Sequence, residues 1–237
     1  MIQPRRLTIS NPSIGGSGYL TLANMQADAA ICGGFHSAIH QCRGLAQAGG
    51  PLCVDVMIRE HEVVGAVPHC VDYVNGFDLT EAWRAVSSVD DFGRSFPRGL
   101  TVVADFFVEK PILVTANRRG PRYLTREEFI ENFEELIQTG CDLRLIAYDF
   151  SKYKFPTILK GPFSFGVIVA DLHLRQDDRF ISLPKEAAIE GVLQNVPTKK
   201  GSVSDEDRLE LNRHVFQRGY EAREQFGGSE EQRVLFI

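Results

Sequence analysis

Residues 27–47, ADAAICGGFHSAIHQCRGLAQ, carry the densest helix-like spacing in the chain. Ile31, Phe35, Ala38, Cys42 and Leu45 recur at i, i+4 and i+7, one face of a helix. Asp28, Cys32, His36 and His40 climb beside that stripe in steps of four. The spacing predicts a helix over 31–45 that covers a sheet, with Phe35 and Ile39 buried against it. Gly33 and Gly34 cost about 1 kcal/mol each relative to alanine inside a helix. Either the helix packs closely on the sheet there, or it starts at Gly34.

Around this helix the pattern turns to β. Leu7–Ser10 reads as a strand, followed by a turn containing Gly15, Gly16 and Gly18, and Tyr19–Leu22 as a short second strand. Leu52–Ile58 and Glu62–Val67 read as a hairpin. Leu79–Val86 reads as a short helix that Asp78 can cap. Leu100–Val108 and Ile112–Ala116 complete the first half. Strand, helix, strand, strand, helix, strand is the β-α-β-β-α-β order of a ferredoxin-like (RRM-like) unit with an antiparallel sheet, so the predicted class is α+β.

Thr125–Gln138 predicts a helix with a capping box from Thr125 and Glu128. Leu143–Phe150 reads as a strand. Phe163–Leu174 reads as a longer one, with Phe163, Phe165, Val167 and Val169 on one face that continues into Asp171, His173 and Arg175. Phe180–Leu183 reads as strand, Pro184–Asn195 as helix, and Ser204 caps a helix to about residue 223. Arg233–Ile237 can add a terminal strand. The chain divides into a ferredoxin-like unit, 1–116, and a second α+β half, 117–237, packed on it or continuous with it.

Of 237 residues, 43% are hydrophobic and 24% charged, as in an ordinary globular protein. No apolar run approaches the ~20 residues of a membrane span, and MIQPRRLTIS has no secretory pattern. Five cysteines, mostly in apolar surroundings, point to free thiols in the cytoplasm. The net charge of −5 argues against a surface coated for non-specific nucleic-acid binding. Residues 150–166 nevertheless contain Lys152, Lys154 and Lys160 and no acid.

His36 and His40, four apart on the predicted helix, have the spacing for a shared zinc, but no third ligand accompanies them, so no metal is assigned. Ser37 belongs to no G-x-S-x-G elbow. P-loop, G-x-G-x-x-G and EF-hand patterns are missing, which disfavours nucleotide hydrolysis and dinucleotide redox chemistry; no cofactor is called for. Residues 148–166 interleave aromatics with lysines, a mixture that suits single-stranded RNA if the rings are exposed and a core if they are buried. Arg118, Arg119 and Arg122 precede a capped helix, a setting that favours phosphate as much as a solvated turn. The RNA-binding candidates are therefore Arg118, Arg119, Arg122, Lys152, Tyr153, Lys154 and Lys160.

The opening PRRLTISNPSI, its glycines and CGGFHSAIHQC resemble the start of the RAMP subunits of CRISPR effector complexes, in particular those holding the 5′ handle of the guide RNA. The resemblance covers about 45 residues. It implies a non-catalytic RNA-binding subunit of an antiviral ribonucleoprotein, with guide RNA and other subunits as partners and no membrane. Related metal-independent processing endonucleases often carry a histidine on the first helix, which would make His36 catalytic. A protein-binding scaffold module is the third reading, favoured by the acidic charge.

Overall fold

The computed structural model describes residues 5–14, 18–43, 51–62, 70–87, 99–107, 123–197, 204–227 and 233–237. Seven strands form one sheet: β1 (Arg6–Ile14), β2 (His36–Arg43), β3 (Pro51–Arg59), β4 (Tyr73–Gly76), β5 (Leu100–Asp105), β6 (Leu143–Tyr148) and β7 (Val234–Phe236). Their order is β2-β3-β1-β4-β5-β6-β7. The β2–β3 and β3–β1 pairs are antiparallel. From β1 through β4, β5 and β6 to β7 every neighbouring pair is parallel. The class is mixed α and β, as expected, but the sheet is not the antiparallel one of a ferredoxin-like unit. Strand direction depends on where each connection crosses, and alternation within a strand does not encode it. One sheet takes strands from both halves of the chain.

Among the described residues, six α-helices cover the two faces: α1 (Tyr19–Cys32), α2 (Leu79–Ser87), α3 (Arg126–Gln138), α4 (Lys160–Arg175), α5 (Lys185–Gln194) and α6 (Asp205–Gln225). Along β5, Val103 joins the core under α1, α4, α5 and α6, while Leu100, Val102 and Ala104 join the core under α2 and α3. Such strands are apolar on both sides, the mark of a sheet buried between two helical layers.

The predicted helix over 31–45 is displaced. The helix runs from Tyr19 to Cys32, replacing the predicted strand at 19–22, and residues 36–43 are strand β2. Gly33 and Gly34 end the helix. Gly34 adopts a positive φ of 81°, and the Gly34 and Phe35 amides donate to the Ile31 and Ala30 carbonyls. Both open explanations for the glycine pair placed it within or before a helix, and it is a stop. Phe35 and Ile39 do pack on the core, half-buried, Ile39 from strand β2 and Phe35 from the residue just before it. The hairpin partner of β3 is β2; most of the predicted partner, 63–67, lies outside the described residues, as does 112–116.

Phe163–Leu174, predicted as a strand, is helix α4. Every residue from Pro162 to Leu172 is buried. A helix buried this thoroughly is apolar over most of its surface, so its 3.6 period is muted and its β-branched residues read as strand. It crosses α6 at Gly166 and Gly219, where an added Cβ would meet the Phe216 and Phe163 carbonyl oxygens respectively. Residues 157–175 are long and apolar enough to span a bilayer by composition, and here they are the central helix of the larger core. Phe180, predicted to open a strand, forms an isolated parallel bridge with Arg6.

Candidate functional site

From β1 the chain turns through α1 to β2 and β3 on one side, while β4, β5 and β6 lie on the other. The carboxyl ends of β1 and β4 therefore flank a topological switch point, where open α/β sheets place their ligands. Gly18, with φ of 83°, leads into Tyr19 at the start of α1. The Tyr19 ring tilts against Phe77 at 4.8 Å, and its hydroxyl accepts the Phe77 amide at 2.8 Å. Asp78 caps α2 by accepting the Glu81 amide at 2.9 Å.

One strand over, Asp105 closes β5 with its side chain fully buried. Its Oδ1 accepts the amides of Phe107 at 2.9 Å and Phe150 at 3.1 Å. Its Oδ2 faces Lys160 Nζ at 2.9 Å. That ammonium also donates to the Phe107 carbonyl at 3.1 Å and sits 4.8 Å above the Phe107 ring. Burial raises the Asp105 carboxyl above its ordinary range, and the neighbouring Lys160 charge works against that rise.

Beneath the crevice, four buried polar side chains join four elements. Asn11 on β1 and Gln26 on α1 exchange amide hydrogen bonds of 3.0 and 3.2 Å. Asn75 on β4 donates to Asn11 and to Ser164 on α4 at 3.3 and 3.2 Å. Lys160, Ser164, Asp171 and Arg175 form a polar row at helical spacing on a helix otherwise buried among apolar side chains. Burial also drives the Tyr19 and Tyr148 phenols well above 10, so both are neutral.

This end of the sheet thus carries buried neutral hydroxyls and mutually bonded amides beside a carboxylate held by two backbone amides and one lysine. Such a set contains no nucleophile–base pair. Among the described residues, no group of three His, Cys, Asp or Glu could hold a metal.

Of the sequence-derived RNA-binding candidates, Lys152, Tyr153, Lys154 and Lys160 lie within the described residues. Arg118, Arg119 and Arg122 lie outside the described residues. Lys152 and Lys154 are exposed, but Tyr153 packs on Phe163 at 4.4 Å, and Phe155 on Phe150 at 6.3 Å. Phe150, Phe163 and Phe165 are buried. The aromatics therefore build a core and offer no stacking platform. Lys160 is buried on Asp105 and cannot neutralise an RNA backbone. His36 and His40 lie on one side of β2, about 13 Å apart at strand rise, too far to share a metal. His36, the nuclease candidate, is exposed on β2 and not on the first helix. Asp105 went unnoticed in the sequence, although an acid closing the apolar run LTVVAD was the available signal.

A family model described as pyruvate ferredoxin/flavodoxin oxidoreductase matches residues 9–222. Solved structures agree on the fold. The gamma subunit of a keto/oxoacid ferredoxin oxidoreductase from Geobacter sulfurreducens is 21% identical with a TM-score of 0.56, covering 93% of this chain and 97% of that one. A pyruvate oxidoreductase subunit from Thermotoga maritima is 17% identical at 0.57, covering 92% and 96%. The 2-oxoglutarate:ferredoxin oxidoreductase of Magnetococcus marinus, with 2-oxoglutarate, coenzyme A and succinyl-CoA bound, is 15% identical at 0.57, covering 98% of this chain but 33% of that one. No curated protein matches by sequence.

These matches overturn the resemblance to RAMP subunits, and with it the guide RNA, the single-stranded RNA partner, the antiviral role and the nuclease and scaffold alternatives. The physical reason is visible in α1. A strand, a glycine turn and a helix occur at the start of many folds, and the Gly-Phe-His segment that carried the resemblance begins a strand.

Proposed function

The chain belongs to the pyruvate ferredoxin/flavodoxin oxidoreductase family, and from that premise we propose that it is a subunit of a multi-subunit 2-oxoacid:ferredoxin oxidoreductase. The carrying observation is the family match, which runs over residues 9–222 of 237. Two structural relatives that it covers nearly end to end are themselves described as subunits. In the third, the same fold makes up a third of a longer chain, so the remaining machinery here would come from partner subunits.

The crevice at the ends of β1 and β4 agrees with that division of labour. Its buried neutral phenols and its internally neutralised Asp105–Lys160 pair make a rigid support for that end of the sheet. Bond making and electron transfer would fall to groups on the partners. The chain would act as one folding unit, because its sheet draws strands from both halves. Cys32 and Cys141 are unbridged, in keeping with a cytoplasmic enzyme.

The test is co-purification followed by assay. Tagged in its host, the chain should bring down the other oxidoreductase subunits. The complex should then reduce ferredoxin with a 2-oxoacid and coenzyme A, the ligand types bound in the Magnetococcus protein. A chain that purifies alone, or a complex inert toward every 2-oxoacid offered, would overturn the proposal.

A further inference from the structure

At the opposite end of the sheet, where β5, β6 and β7 begin, lies a cavity of about 200 Å³. Arg144, Arg175, Arg179 and Arg233 line it together with Asp142 and Asp177. Arg144 and Arg175 form its floor, their side chains 13% and 18% exposed. Arg179 and Arg233 form its mouth at 59% and 49%.

The carboxylates nearby do not balance these guanidiniums. Asp177 binds Arg179 through both oxygens, at 2.7 to 3.1 Å, and stands 3.9 Å from Arg175. Asp142 pairs with Arg233. Asp171, behind the floor, has one oxygen shared between Arg144 and Arg223, and the other accepts the Tyr73 hydroxyl at 2.7 Å. Arg175 donates to the Thr101 hydroxyl at 3.1 Å, a neutral partner. Five guanidiniums (144, 175, 179, 223, 233) thus meet three carboxylates (142, 171, 177), a surplus of two. Asp72, within electrostatic reach of Arg179, reduces it to one. The carbonyl end of α4 adds about half a negative charge, so the balance stays positive. Guanidinium does not deprotonate near neutral pH, so the surplus cannot be relieved by titration.

We propose that this cavity binds a small dianion of the phosphate class, gripped by the Arg144 and Arg175 floor and closed by Arg179 and Arg233. Arginine forks match tetrahedral oxyanions in pairs. The volume lies below the roughly 300–1,000 Å³ of sites that enclose a whole drug-sized ligand, so it suits an anionic group and not an entire cofactor. This inference is independent of the oxidoreductase assignment.

The probe is inorganic phosphate, titrated into the full chain by calorimetry and ³¹P resonance, with ionic strength held constant by sodium chloride. Saturable one-site binding is expected. Arg179→Gln and Arg233→Gln, both at the exposed mouth, should each weaken it about tenfold. Arg175→Lys, which keeps the charge but loses the fork, should weaken it without removing a charge from the floor. Binding no stronger than chloride, tighter binding of malonate than of phosphate, or unchanged affinity in the Arg179→Gln/Arg233→Gln double variant (an adventitious ion only) would each overturn the site.

Discussion

At the carboxyl end of the parallel strands, buried Asp105 meets one lysine and two backbone amides. At their amino end, equally buried Asp171 meets two arginines and a phenol. Both carboxylates contact side chains of the same helix row or belong to it, so helix position does not distinguish them. What differs is the source of the donors. Amides fixed by the strand-end turns stabilise a carboxylate without adding charge, and one cation completes the neutralisation. Where side chains supply every donor, each new donor brings a full positive charge, and arginines accumulate past neutrality. The first arrangement closes a wall beneath the crevice, and the second leaves an electropositive cavity.

The harshest way to break this contrast is Asp171→Ala. It leaves Arg144 and Arg223 facing each other in the core, and urea unfolding should show a loss of about 3 to 5 kcal/mol. Lys160→Met should be milder, about 3 kcal/mol at neutral pH, because the two amides still hold Asp105. A pH dependence sharpens it. Burial raises the Asp105 carboxyl above its ordinary 3.8, so the folded protein takes up this proton more readily than the unfolded chain. Such a group contributes fully below the unfolded value, and its contribution declines as pH rises through the folded value. Removing Lys160 lifts the folded value further. The deficit of Lys160→Met should therefore be smaller at about pH 5 than at about pH 7.5. A deficit that grows on acidification would mean that Lys160 does not act through Asp105.

Midway between the two ends, Gly219→Ala pushes a methyl into the Phe163 carbonyl. It should cost about 1 to 3 kcal/mol by forcing α4 and α6 apart. Thermal melts would register it, and both ends should loosen together in hydrogen exchange. The smallest effect is a control on the other face of the sheet. Thr125→Ala removes the reciprocal cap with Glu128 and should cost about 1 kcal/mol, leaving exchange at both ends unchanged.

That cap also marks what could be read without a structure. Thr125 and Glu128 lie three residues apart, Phe129 and Phe133 share a face, and the helix they predict appears as α3 (Arg126–Gln138). The helices after Pro184 and Ser204, and strands β3, β5, β6 and β7, were likewise legible to within a few residues. In each, caps, proline or alternation act within one or two turns of chain. The sequence by itself also determined the family, through a pattern spread over residues 9–222 that no single motif announces.

Only the tertiary structure decided the rest. Whether Gly33 and Gly34 sit within a helix or end it depends on β3 claiming residues 36–43 as its neighbour. Whether Phe163–Leu174 is strand or helix depends on α6 and the sheet enclosing it, which leaves only the sparse row Lys160, Ser164, Asp171 and Arg175 to show its period. Strand direction, and with it the switch point between β1 and β4, is set by crossovers tens of residues long. Asp105 and Lys160 stand 55 positions apart and meet only because β5 and α4 are adjacent layers of one core. Short-range signals specify elements, because a hydrogen bond or a cap needs a few neighbours. A buried charge pair is specified by which surfaces the folded chain brings together.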